Sequence, residues 1–204
     1  QRTADVNNKV RPNVVAVQEV DSVTGRSGQT DILRVLADKT LMFPVYAPAI
    51  NYDGGKYGIG MLSKEKPLRH YHLALPGREE ERALLIVEFE KYIYCCTHLS
   101  LTGEDRLASL DIIRKEAKAN KPFFIAGDFN AEPDSEVIQG IQNDFVILTN
   151  TKLPTWPADK PTDIIDYIAA YAKDSTAFTR LSSWVVDEPA ASDHRPIVAD
   201  IVFK

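Results

Sequence analysis

The sequence predicts a mixed α/β (α+β) protein. Three observations carry this: many short apolar runs rich in β-branched and aromatic residues, a few segments with apolar residues at helical spacing, and connections of both hairpin and crossover length. The chain has 204 residues and 44% apolar content, enough for a substantial core. No composition shift or linker divides it, so one domain is expected over residues 1–204. No repeat at solenoid or propeller periods is visible, and no apolar run reaches the roughly 18 to 20 residues of a membrane-spanning helix.

Taken in order, Arg2 to Val10 is polar and helix-compatible, and Pro12 ends it. VVAVQEV (Val14 to Val20) reads as a buried strand. After the turn-rich DSVTGRSG, Thr30 to Lys39 places Ile32, Leu33, Val35 and Leu36 at helical spacing. A long loop is expected next, with Tyr46, Tyr52, Tyr57 and the Gly54-Gly55 pair, then a short strand GIGML. SKEKPLRHYH (Ser63 to His72), the most basic local run, reads as a solvated hairpin or loop. ALLIVEFE and YIYCCTHL flank Lys91 as an antiparallel hairpin. Glu104 to Ala119 is an amphipathic helix with Leu107, Leu110, Ile113 and Ala117 inward. PFFIAGD is a buried strand, and Asp134 or Ser135 caps a short helix ending near Gly140. FVIL, the loop TNTKLPTWPADKPTD, IIDYIAAY, and the strands AFTRLSSWVV and RPIVADIVF complete the chain.

A net charge of -5 gives a field that repels polyanions, which disfavours a promiscuous nuclease without a local basic patch. Cys95 and Cys96 are neighbours in a β-like run and point to opposite faces, so they read as two free, packed thiols. The chain opens on Gln1 rather than Met, so removal of upstream residues is expected, and the compartment stays open, a secreted or periplasmic one included.

Five separate apolar runs carry polar residues at their ends: Glu19 after VVAVQ, His98 after YIYCCT, Asp128 and Asn130 after FFIAG, Asp166 after II, and Asp193 with His194 before RPIVADIV. Ends of strands from distant parts of one sheet form a common rim, where sites are built. If Asp128, Phe129 and Asn130 stay extended, the two polar side chains share a face while Phe129 packs. The alternative is a side-chain-to-backbone turn. Alone, Glu19 reads as a strand-end residue with a salt bridge, and His98 as a hydrogen-bonded, partly buried histidine. Asp166 is different, since an ionised carboxylate among four apolar residues costs several kcal/mol to bury unpaired. His194 is its natural partner, and Asp193 could serve the same end or bind a cation. Glu132, Asp134 and Glu136 read as a solvated turn and an acidic first helical turn. His70 and His72 lack a strong set of further ligands nearby.

VAVQEVD, ERALLIV, THL, GDFNAEPDS, IDYI and SDHRP, in that order over nearly the whole chain, resemble the endonuclease/exonuclease/phosphatase superfamily. The resemblance implies a four-layered α/β/β/α sandwich of two mixed β-sheets and a Mg²⁺- or Mn²⁺-dependent phosphoric ester hydrolase site at one rim. It implies Glu19 as a magnesium ligand with support from Asp193, and Asp128 as the residue that orients or deprotonates water. Asn130 would hold a phosphate oxygen or that water, His194 paired with Asp166 would stabilise the pentacovalent phosphorus, and His98 would be the second histidine with Glu81 as its carboxylate. Such chemistry needs charge stabilisation on nonbridging oxygens, a positioned water and oxygen-rich magnesium ligands. One departure stands out. Family members begin with a core strand bearing an asparagine of the type WNI or YNI, and no such strand precedes the first helix here; a longer parent polypeptide is expected to contain it.

The expected function is a phosphodiesterase or phosphatase, acting as a monomer on a phosphorylated small molecule or lipid headgroup. A nuclease on DNA or RNA and a non-catalytic binding module that retains the fold are the alternatives. Tyr46, Tyr52, Trp156 and Lys160 are expected in loops bordering the cleft.

Overall fold

Pro12 stops the first helix as expected: in the computed structural model, which describes residues 2–204, α1 (Arg2–Val10) ends just ahead of it. β1 (Val14–Ser22) follows, then α2 (Ile32–Thr40), whose N-cap Asp31 accepts a hydrogen bond from the Arg34 amide. The segment expected as a long loop is instead a hairpin, β2 (Phe43–Tyr52) and β3 (Gly55–Ser63). Pro44 and Pro48 disguise β2, yet proline is tolerated on an edge strand, and β2 is the edge of the order β1-β3-β2. The turn is Asp53-Gly54, with φ of 46° and 78°, the left-handed pair that a tight hairpin requires.

The basic run is also a strand: β4 (Arg69–Leu75) pairs along its length with β5 (Arg82–Glu88), and its His70 and His72 are exposed. β6 (Ile93–His98) returns antiparallel to β5. A crossover through α3 (Gly103–Glu116) then brings β7 (Phe123–Asp128) in parallel to β6. α4 (Glu136–Ile141), capped by Ser135, leads to β8 (Phe145–Ile147) and β9 (Asp166–Tyr171). β10 (Phe178–Val185) and β11 (Ile197–Phe203) form the closing hairpin.

One mixed sheet of six strands runs β4-β5-β6-β7-β9-β8. Over it lies a second layer, with β1 above β6 and β7, β3 above β5 and β6, and β11 above β9. This layer is not one mixed sheet but two antiparallel pieces, β1-β3-β2 and β10-β11. Helices complete four layers. Leu110 and Ile113 of α3, Ala117 at its C-cap, and Val137, Ile138 and Ile141 of α4 bury against Phe123 and Ile125 on the outer face of the six-stranded sheet. Ala4 of α1 and Leu33, Leu36 and Ala37 of α2 cover Val20 and Leu62 on the opposite side. Between the sheets lies the remaining core, including Val45, Ile59, Leu85, Val87 and Phe124. Cys95 faces the helix-backed core and Cys96 the core between the sheets, both free, as the alternation of a strand dictates. Among the described residues no helix is long and apolar enough to cross a membrane.

Candidate active site

Register places the first three groups. His98 is the Cα partner of Asp128 across the parallel pair β6–β7, and Asp128 is the partner of Asp166 across the antiparallel pair β7–β9. Three adjacent strands thus deliver a histidine and two carboxylates at one level, all at least nine-tenths buried. Gly127 makes this approach feasible, because a Cβ there would lie 2.0 Å from the Thr97 carbonyl oxygen.

The loop before β11 supplies His194. Its Nδ1 donates to Asp166, 2.9 Å from Oδ2 and 3.2 Å from Oδ1, which gives the buried carboxylate the partner it requires. Thr155 donates its hydroxyl to the same Asp166 Oδ2 at 2.6 Å. His194 Nε2 then lies 3.7 Å from Asp128 Oδ2, and His98 Nε2 lies 3.4 Å from that same oxygen. One carboxylate oxygen therefore sits between two imidazoles. The Trp156 ring stands 6.4 Å from the His194 ring.

Protonation follows from this crowding. Burial first, then the Asp166 charge, raises the Asp128 pKa above the ordinary carboxylate range. Burial disfavours the charged form of His194, but its bond to Asp166 and the charges of Asp166, Asp128 and Asp193 outweigh that and lift it to about 9. His98 moves the other way, to about 3, through burial and then the positive charges of Arg82 and His194. The two histidines are thus one cationic and one neutral at neutral pH.

The other expected residues sort unevenly. Asn130 is not extended behind Asp128: its φ is 48°, its amide donates to Asp128 Oδ1 at 2.8 Å, and its side chain donates to the Leu99 carbonyl at 2.8 Å. The turn alternative describes it, and Asn is among the residues that tolerate the left-handed region. Phe129 does turn inward, fully buried. Glu19 is exposed at φ 55°, where the β1–β3 register shifts between Val17 and Val20; such a bulge re-aims a side chain. Together with Asp193 it borders the cavity that also exposes Asp128, Asp166 and His194. Glu81 lines a small cleft beside His98 but is exposed and forms no hydrogen bond or ion pair among the described residues; Asp128 is the carboxylate beside His98.

Sequence reasoning missed Arg82 and Thr155. Arg82 is buried, paired with Glu79 at 3.1 Å and Glu80 at 3.6 Å, with an unpartnered Nε. Its signal was a charged residue opening an apolar strand; Thr155 gave none. Tyr46 and Tyr52 belong to β2 rather than to loops. Tyr46 donates to the Val20 carbonyl, and Tyr52 lies under the Arg26 guanidinium. Lys160 is in an exposed loop position.

The donor atoms of Asp128, Asp166 and His194 lie within 4.8 Å of one another, and the carboxylates of Glu19 and Asp193 border the same cavity. The carboxylate oxygens suit a hard divalent cation, which would relieve the repulsion between the abutting buried carboxylates, whereas a cationic His194 has no free ring nitrogen to offer it.

No curated protein matches the chain. Solved structures do. An endonuclease/exonuclease/phosphatase from Beutenbergia cavernae is 20% identical with a TM-score of 0.80, over 99% of this chain and 65% of that one. The human Nocturnin catalytic domain with bound sulfate is 17% identical, TM-score 0.74, over 100% and 86%. The mannosyl-6-phosphatase of Bacteroides thetaiotaomicron is 14% identical, TM-score 0.76, over 99% and 90%. At these identities the likeness is one of fold, the layered sandwich that the sequence motifs imply. The family model matches residues 1–194, a span that reaches from α1 to His194, and the chain belongs to the endonuclease/exonuclease/phosphatase family.

Proposed function

We propose that the chain hydrolyses phosphoesters at this rim, as a monomer, on a phosphorylated small molecule or lipid headgroup in preference to nucleic acid. The observation that carries the reading is the buried line His98, Asp128, Asp166 with His194 bonded over it. The net charge of -5 supports the substrate preference, since polyanions are repelled overall.

The side chains divide the work. Asp128, whose affinity for a proton is raised, orients the attacking water and accepts its proton as the oxygen–phosphorus bond forms and the ester bond breaks. Asp166 holds the His194 ring through Nδ1 and keeps it cationic, so Nε2 donates to a nonbridging oxygen as charge grows there. Neutral His98 offers an N–H to the same group. Asn130 fixes Asp128 through its amide and so acts as a positioning residue. Mg²⁺ or Mn²⁺ would be held by Glu19 and Asp193, and when bound supplies charge stabilisation to the phosphoryl oxygens.

The test is turnover of bis(p-nitrophenyl) phosphate and p-nitrophenyl phosphate with Mg²⁺ or Mn²⁺, then with chelator, beside Asp128→Asn and His194→Ala. Chelator should abolish turnover, and each variant should lose on the order of a hundredfold or more. Asp128→Asn should keep or raise the thermal midpoint, because it removes one of two abutting buried carboxylates, so its loss of activity is not unfolding. Activity that survives the chelator or both substitutions overturns the mechanism. Faster cleavage of single-stranded oligonucleotides would move the assignment to a nuclease, and inactivity on every ester would favour a binding module.

A further inference from the structure

Between β1 and α2 the chain makes a closed loop, residues 23–30, just past the strand end that carries Glu19. A bridge between Ser22 and Asp31 closes its base, and the Val23 amide donates to the Thr30 carbonyl at 3.1 Å. The loop is fastened to the β2–β3 turn, where the Gly25 amide donates to the Asp53 carbonyl at 2.8 Å and the Arg26 amide to Asp53 Oδ2 at 2.6 Å. Gly25 is required for that approach, since a Cβ there would lie 2.8 Å from Asp53 Oδ2. Val23 holds a φ of 58°, which a β-branched residue adopts only where its surroundings impose it, and strain of this kind collects at ligand sites.

What the loop presents is Arg26. Its Nε and Nη2 donate to the two oxygens of Asp21 at 2.8 and 2.9 Å, and its Cζ lies 4.6 Å from the Tyr52 ring centre and 5.3 Å from that of Tyr57. The Arg26 side chain is nonetheless 50% exposed and Tyr52 42% exposed. Fixing so long a side chain costs rotamer freedom, and an ion pair this exposed returns little stability for it. Nη1 and the two phenol hydroxyls are left without a hydrogen-bond partner among the described residues. Tyr57 joins this cluster to the candidate site. It is the Cα partner of Asp21 and borders the small cleft that His98 and Arg82 also line, and burial and then the Glu19 charge raise its phenol pKa.

Charge decides which ligand fits. Asp21 and Asp53 offset Arg26 and Lys56, the residue opposite Ser22, so the cluster has no net charge to draw a second anion. Its free groups are guanidinium and phenol donors set beside carboxylate acceptors and aromatic faces. Hydroxyls both donate and accept, and a ring that carries several of them on an apolar C–H frame matches that mixture. We propose that Arg26, Tyr52 and Tyr57 form a subsite for the polyhydroxylated ring, a sugar or cyclic polyol, of the ester whose phosphoryl group is held at Asp128 and His194. This names the alcohol part of the substrate and rests on the phosphoesterase reading. Arg26 Nη1 donates to a ring hydroxyl, Asp21 keeps the guanidinium in place, and Tyr57 lies between the ring and the phosphoryl group.

Calorimetric binding to the Asp128→Asn protein with Mg²⁺ tests it, with glucose 6-phosphate and myo-inositol 1-phosphate as probes against ethyl phosphate. The ring phosphates should bind about tenfold more tightly than ethyl phosphate, the gain that a few added hydrogen bonds give. Arg26→Lys, which keeps the charge but loses the planar fork, and Tyr52→Ser, which removes an exposed ring, should each bring that ratio toward one. If Arg26→Lys does not fold, Tyr52→Ser decides. Equal binding of ring phosphates and ethyl phosphate overturns the proposal, as does a ratio that survives the substitutions. Tighter binding of propane-1,3-diol bisphosphate than of glucose 6-phosphate would make the cluster an anion site and overturn it as well. Binding needs no turnover, so equal binding beside hydrolysis of p-nitrophenyl phosphate by the wild type sinks the subsite alone, whereas ring-selective binding without hydrolysis of any ester sinks the phosphoesterase reading alone.

Discussion

His194 gathers three acidic neighbours, and its titration is the sharpest reading of them. In metal-free protein its imidazole should titrate near 9, and Asp166→Asn should bring the midpoint down toward 6.5; chemical shifts of the ring protons measure both. The sign follows from a folded value above the unfolded one. The stability His194 contributes is complete below about 6.5 and lost as pH rises toward 9. Denaturant midpoints should fall over that window more steeply for the wild type than for His194→Gln. His98, depressed to about 3, contributes the opposite slope, gained as pH rises from about 3 to 6.5. At this scale the sequence was legible wherever a polar residue closed an apolar run: Asp166 demanded a partner, and the only question was which group would meet it. For Asn130 it left two readings open, and the local turn outcompetes the extended geometry of period-two alternation.

Strand ends, rather than loops, hold the buried groups, and Gly127 is the hinge of that arrangement. Gly127→Ala would push a methyl group against the Thr97 backbone, part β6 from β7, and displace both His98 and Asp128. Overpacking of this kind costs about 1 to 3 kcal/mol. The variant should show that loss in chemical denaturation and a fall in kcat larger than the loss of folded protein accounts for. The helices and the strands β5, β6 and β7 were legible because their apolar period was strong and their stops, such as Pro12, were local. β2 and β4 were not, because they are edge strands: one face and one edge of each meet solvent, so their composition is polar and proline-bearing. The Asp53-Gly54 turn was the available signal for the first of them.

Across the whole molecule, two cores share a single six-stranded sheet, and the candidate site lies along its end. The motif order GDFN, IDYI, SDHRP captured that arrangement, since a family's motif order encodes which strand ends meet. It could not convey that Arg82, rather than Glu81, is the buried neighbour affecting His98, because adjacent residues on a strand face opposite ways. The paired thiols extend this two-core architecture into something practical. Cys95 and Cys96 sit back to back, one under α3 and α4, the other against Val17 and Gln18 of β1. An alkylating reagent therefore has two clocks in one peptide: modification of Cys96 ahead of Cys95 is expected if the two smaller sheets lift from the six-stranded sheet before α3 and α4 do, whereas simultaneous trapping would mean that both halves come apart together.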